Sequence, residues 1–116
     1  MQIQVNSSNH IDGNARLDEW VRNTVQDTLE RYEEDLTRIE VHLRDENGGK
    51  PGPQDKRCQM EARPKGHQPI SVSHTASSLE QAVEGATTKL DHALDHLFGK
   101  LRSKRVVLEV NEEIEE

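Results

Sequence analysis

From Arg38 to Arg44 the chain alternates without a break, with Ile39, Val41 and Leu43 at one parity and Arg38, Glu40, His42 and Arg44 at the other. Successive side chains of a strand point to opposite faces, so this run reads as a strand apolar on one side and wet on the other. Such a strand cannot bury its own apolar face; another layer has to cover it. The same period of two recurs at Gln2 to Ser7, where Ile3 and Val5 share a side. It returns at Cys58, Met60 and Ala62, opposed by Arg57, Gln59, Glu61 and Arg63, and again at Ile70 and Val72, opposed by Ser71, Ser73 and Thr75. Four half-buried strands are therefore expected.

Two stretches follow a different period. Leu17, Trp20, Val21, Thr24, Val25, Thr28, Leu29 and Tyr32 recur at steps of three and four, as one stripe along a helix, with Asp12 and Asn14 as candidate N-caps. A second stripe comprises Leu79, Ala82, Val83, Ala86, Leu90, Ala93, Leu94, Leu97 and Leu101. It is preceded by Ser77-Ser78-Leu79-Glu80, a capping box in which Ser77 caps and Glu80 reaches back. Gly99 is a place for this helix to fray. The segment 45–55, DENGGKPGPQD, reads as a loop and Pro64 to Gly66 as a tight turn. The order is β-α-β-β-β-α, an α+β two-layer sandwich with two helices on one face of a four-stranded sheet. The first two strands, joined through a helix, suit a parallel pair, and the remaining connections are hairpins. Double-stranded RNA-binding-like domains share this order, although topology alone does not assign function.

Composition narrows the function. Apolar residues make up 31% and charged residues 32%, so the core is thin and the surface wet. Trp20, Tyr32 and Phe98 are the three aromatics, too few to stack a run of unpaired bases. The net charge of -7 opposes binding to phosphates, but it is unevenly spread. Five glutamates, Glu109, Glu112, Glu113, Glu115 and Glu116, close the chain, and without them the charge is -7 + 5 = -2. Directly before them lies the basic run Lys100, Arg102, Lys104 and Arg105. The expected division is a domain over 1–105 and an acidic tail over 106–116. That tail could form a short strand or be disordered; its terminal position and like-charge block favour disorder. It has three readings: solubilising disorder, a mimic of RNA covering the basic run, or a protein-binding segment.

Cys58 is the single cysteine, which excludes an internal disulfide and supports no thiolate zinc site; it reads as a small buried hydrophobe. His92 and His96 are four apart, a spacing able to hold a metal on a helix, but they read as exposed histidines beside the stripe. Neither a nucleophile elbow nor a phosphate-cradling glycine loop is present, and GGKPG lacks the spacing and the following helix. No catalytic residue, metal, cofactor or small-molecule substrate is expected. The N-terminus has no signal-peptide pattern and no apolar run reaches membrane-spanning length, so a cytoplasmic protein without a membrane partner is expected.

The stretch MQIQVNSSNHI resembles the opening strand of the ribosome hibernation-promoting factor and ribosome-associated inhibitor A family, the sigma-54 modulation proteins in their short form. LERYEEDLTRIEVHLRDENG is similar to that family's end of helix one, turn and second strand. KRCQMEARPKGHQPISVSHTASSLEQAVEGATTKLDHAL is similar to its third and fourth strands and the start of its second helix. The resemblance runs from about Met1 to about Arg105 and rests on the ordered series rather than on one motif.

That resemblance implies a stress or hibernation factor bound to the small ribosomal subunit through 16S rRNA, inhibiting translation by steric occupancy, with no turnover. The alternative is a protein-interaction or regulatory module of the same fold that has lost ribosome affinity. Its basis is the net charge and a diluted second helix, with Asp91, His92, Asp95 and His96 where the family is denser in Lys and Arg. The candidate RNA contacts are Lys56, Arg57, Arg63 and Lys65 around the third strand, with Lys89, Lys100, Arg102, Lys104 and Arg105 on or after the second helix. Their chemistry would be phosphate neutralisation with counterion release. Read without the resemblance, they are a solvated surface with favourable cations near a helix C-terminus. The oligomeric state is not legible in the sequence.

Overall fold

The computed structural model describes residues 1–7, 15–45 and 56–114, with side chains described as far as Gly99. Its elements run β1 (Gln2–Ser7), α1 (Ala15–Leu29), a 3-10 helix (Glu30–Asp35), β2 (Leu36–Asp45), β3 (Lys56–Pro64), β4 (Ile70–Ala76) and α2 (Leu79–Ile114). The strands form one sheet in chain order, β1-β2-β3-β4. β1 pairs in parallel with β2, Ile3 opposite Ile39 and Val5 opposite Val41. β3 is antiparallel to both β2 and β4. The expected α+β order and the single four-stranded sheet are therefore present. The expected caps Asp12 and Asn14 and residues 46–55 of the expected 45–55 loop lie outside the described residues, while Asp45, the first residue of that loop, ends β2.

The alternating runs all bury the same parity. Ile39, Val41 and Leu43 of β2 and Cys58, Met60 and Ala62 of β3 are buried, and Val21, Val25 and Leu29 of α1 join them in one core with Ala82, Val83, Ala86, Leu90 and Leu94 of α2. Alanine at two successive turns of α2 lets its backbone approach the sheet. Thr87 is also buried, and its hydroxyl donates to the Val83 carbonyl at 2.6 Å, so a polar group enters the core already satisfied. Register shifts between Leu36 and Arg38, where Thr37 donates its hydroxyl to the Arg63 carbonyl at 3.0 Å. Gly66 has φ 76°, and His67 N–H donates to the Pro64 carbonyl at 3.3 Å, closing the expected turn with glycine at the position that needs positive φ.

Three local readings change. First, α1 stops at Leu29, and Thr28, placed on its stripe, is exposed. The 3-10 turn tightens the path so that Tyr32 still reaches the core, where it stacks on Phe98 with ring centroids 5.4 Å apart. Second, the cap of α2 is shifted by one residue. Ser78 Oγ accepts from Gln81 N–H at 3.2 Å, while Ser77 Oγ donates to the Gln81 side chain at 3.0 Å. Two serines in succession left the choice open, and the one followed three residues later by Gln81 prevails over the one followed by Glu80. Third, α2 passes Gly99 without a break. Its backbone is helical to Ile114. Extending an existing helix avoids the nucleation cost that a separate segment would meet.

Both rims of the sheet are met by a cation from a helix. Arg22 of α1 donates to the Ile3 carbonyl on β1, and Lys89 of α2 donates to the Ser73 carbonyl on β4 at 2.9 Å. His74, unassigned by the sequence patterning, lies on the helix side of β4 beneath Gly85. A Cβ at Gly85 would fall 2.1 Å from its ring, so this mid-helix glycine is where the strand's imidazole passes under the helix.

Candidate nucleic-acid interface

The face of the sheet away from the helices carries the opposite parity of every strand, and the registers arrange it in rows. Gln2, Arg38 and Arg63 lie across from one another, then Gln4, Glu40, Glu61 and Ser71, then Asn6, His42, Gln59 and Ser73, and last Arg44, Arg57 and Thr75. The face is thus striped basic, acidic, neutral and basic. Residues two apart on a strand are about 6.6–6.8 Å apart, so each row touches only its neighbours.

The two basic rows differ in their surroundings. In the first, Arg38 reaches Glu40 at 2.8 Å, and Arg63 reaches Glu61 at 3.1 Å and Glu40 at 3.5 Å. His42 Nε2 lies 3.5 Å from the other oxygen of Glu40. The first basic row and the acidic row neutralise each other. Arg44 and Arg57 are separated from that acidic row by the neutral one, about 13 Å along the strand, which exceeds the Debye length of roughly 8 Å at physiological salt. Arg44 and Arg57 lie directly opposite each other on neighbouring strands, which concentrates positive charge at this end of the face.

A groove of about 430 Å³ opens here, lined by Asn6, Ser7, His42, Leu43, Arg44 and Gln59. Gln59 is steadied by its amide, which donates to Ser71 Oγ at 3.3 Å.

The cations singled out in the sequence are distributed by the fold. Arg57 and Arg63 lie on the open face, joined there by Arg38 and Arg44, which sequence reasoning passed over although their alternation was the clearest signal in the chain. Lys56 lies on the helix side and pairs with buried Asp45 at 3.1 Å. Lys65 is exposed in the β3–β4 turn, its backbone N–H donating to the Asp35 carbonyl at 2.9 Å. Lys89 is exposed but engaged at the β4 rim. Lys100, Arg102, Lys104 and Arg105 follow on α2, where side chains are not described.

The acidic positions of α2 also have an assignment. Arg31 donates to Asp91 at 3.0 Å and approaches Asp95 at 3.6 Å, while its guanidinium carbon lies 4.7 Å from the centre of the Tyr32 ring. The Asp91 hydrogen bond holds the guanidinium more firmly protonated than usual, outweighing the opposing effect of desolvation. Asp91 and Asp95 thus help tie the 3-10 turn to α2. His92 and His96 are exposed, and among the described residues no three His, Cys, Asp or Glu side chains gather as a metal site. Burial pushes the Cys58 thiol up to about 12. No helix among the described residues is long and apolar enough to cross a membrane.

Known structures share this fold. The crystal structure of the Thermus thermophilus Protein Y N-terminal domain superposes with a TM-score of 0.67 at 16% identity, covering 84% of this chain and 99% of that one. A ribosomal subunit interface protein from Coxiella burnetii gives 0.66 at 16% identity, covering 85% and 99%. No curated protein matches by sequence. The family model described as sigma 54 modulation protein / S30EA ribosomal protein matches residues 3–102, which spans every strand, α1 and the packed part of α2. By that match, the chain belongs to the sigma 54 modulation protein / S30EA ribosomal protein family.

Proposed function

We propose that this protein is a cytoplasmic hibernation factor that sits against 16S rRNA of the small ribosomal subunit and inhibits translation by occupying space, without turnover. The observation that carries the reading is the family match over residues 3–102, together with an open sheet face bearing four arginines on two adjacent strands. The Thermus and Coxiella proteins of the same fold are named for Protein Y and for the ribosomal subunit interface, which supports a ribosomal partner. Arginine suits the task because its planar fork binds phosphate oxygens in pairs and is weakly hydrated. A rigid face reads the shape and phosphates of folded RNA rather than base stacking, consistent with three aromatics, two of which are stacked on each other.

In this reading Arg44 makes the principal phosphate contact of the open face with Arg57 across from it, and Arg38 and Arg63 share their charge with Glu40 and Glu61. Lys65 and Lys89 extend the surface at its margins, and Lys100, Arg102, Lys104 and Arg105 supply a second basic segment along α2. Lys56 is the weakest of the sequence-named candidates, because Asp45 engages it.

Sucrose-gradient sedimentation of lysate at low and high salt tests the proposal. Co-migration with small-subunit and whole-ribosome fractions at low salt, abolished at high salt, is expected. Arg44→Ala with Arg57→Ala should release the protein at lower salt, flattening the slope of log affinity against log salt by about 0.7–0.9 for each phosphate no longer neutralised. Absence from every ribosomal fraction would instead favour a protein-interaction module of the same fold, the reading motivated by the net charge of -7.

A further inference from the structure

The groove at the Arg44 end of the open face has features that phosphate neutralisation alone does not use. Its lining residues Asn6, His42 and Gln59 lie in one row across β1, β2 and β3, and Arg44 stands in the next row of β2. Two carboxamides, an imidazole, the Ser7 hydroxyl and a guanidinium thus surround a single opening, with no carboxylate among its described lining residues. On the open face the nearest carboxylate of β2 is Glu40, one row beyond His42, whose Nε2 it meets at 3.5 Å, and it is engaged by Arg38 and Arg63; Asp45, next to Arg44, is buried and paired with Lys56. The volume of about 430 Å³ falls within the range of roughly 300–1,000 Å³ typical of small-molecule sites.

From this arrangement we infer that the groove is a nucleotide subsite, which holds one phosphate on Arg44 and one sugar or base edge against Asn6 and Gln59. The division of labour follows from side-chain chemistry. A guanidinium offers a fork of N–H donors and no acceptor, which suits a phosphate. A carboxamide both donates and accepts, which suits a ribose hydroxyl or the edge of a base. His42 adds a flat ring at the groove wall, available to one base without an array of aromatics. An open groove of this kind admits a nucleotide within an RNA chain or a free mononucleotide. The inference deepens the RNA-binding reading when the source is RNA, and stands without that reading when the source is a free nucleotide.

Two-dimensional NMR amide spectra of the full chain, titrated with uridine 5′-monophosphate, uridine or inorganic phosphate, test it. The monophosphate should shift the amides of Asn6, Ser7, His42, Arg44 and Gln59 with an affinity on the order of millimolar, and uridine should bind at least about tenfold more weakly. Arg44→Ala should weaken the monophosphate about tenfold, and Arg44→Lys less, because lysine keeps the charge and loses the fork. Arg44 is exposed, and the same spectra report whether each variant is folded. Ribosome sedimentation of Arg44→Ala separates the sources. Loss of both mononucleotide and ribosome binding identifies an RNA nucleotide as occupant, and loss of mononucleotide binding alone identifies a free one. Wild-type protein that binds the monophosphate but never sediments with ribosomes would keep the groove and remove the ribosomal role. Equal responses to phosphate and monophosphate would overturn the nucleotide assignment; shifts elsewhere, or none at those five residues, would overturn the site.

Discussion

Cys58 shows how one side chain's environment settles its chemistry. It alternates with core residues, lies wholly buried, and has its thiol pushed from 9.0 to about 12 by that burial. A thiol with so small a thiolate fraction is inert, so disulfide reagents should label it only at the rate at which the protein opens. An acid whose pKa is higher folded than unfolded favours the folded state while protonated. This contribution is complete below pH 9.0 and is lost as pH rises toward about 12. Urea unfolding at pH 8 and at pH 10.5 should therefore show a steeper loss of stability in the wild type than in Cys58→Ala. The slopes should differ by up to about 1.4 kcal/mol per pH unit. Identical slopes would show that the thiol titrates as if exposed. The role of Cys58 was readable from parity alone, whereas that of Arg44 was not. Period two puts Arg38 and Arg44 on the same wet face, but only the register shows that Glu40 and Glu61 share a row next to Arg38 and two rows from Arg44.

Among the elements, strands were the most legible, because the alternation of Ile39, Val41 and Leu43 admits one secondary structure and one buried side. Helix ends were less so. The stripe continued through Tyr32, yet the chain leaves the α-helix at Leu29 and returns that ring to Phe98, a residue far along the chain that no local pattern could connect to it. The pairing of His74 with Gly85 was equally hidden, since an isolated glycine in a helical pattern gives no indication of its neighbour across the sheet. That pairing has a measurable consequence. Gly85→Ala would ordinarily gain about 1 kcal/mol of helix propensity. Here the new methyl meets the imidazole, and overpacking of this kind costs about 1–3 kcal/mol. The variant should be less stable than wild type in urea unfolding, and the same change made on His74→Ala should be stabilising. A stabilising Gly85→Ala with His74 in place would contradict the packing.

For the molecule as a whole, charge and shape are divided along α2. The helix reaches Ile114, and the molecule extends 66 Å along its long axis against 26 and 21 Å across. Glu109, Glu112 and Glu113 follow the basic run along the same helix, so covering that run from within one chain would require the helix to break. In the proposed RNA-binding role their effect is then a general repulsion, which is felt most at low salt. Removing residues 106–116 takes the net charge from -7 to -2 and should tighten ribosome binding at low ionic strength, with the advantage shrinking as salt rises. Unchanged affinity at low salt would show that the glutamates lie too far from the RNA to matter. The hydrogen bonds of Arg22 to Ile3 and Lys89 to Ser73 bear on behaviour in a crowd. Exposed strand borders invite like strands to zip on, and a positive charge planted at each border discourages that annealing. In the proposed ribosomal role, copies gathered on neighbouring particles are thereby kept from annealing through either border.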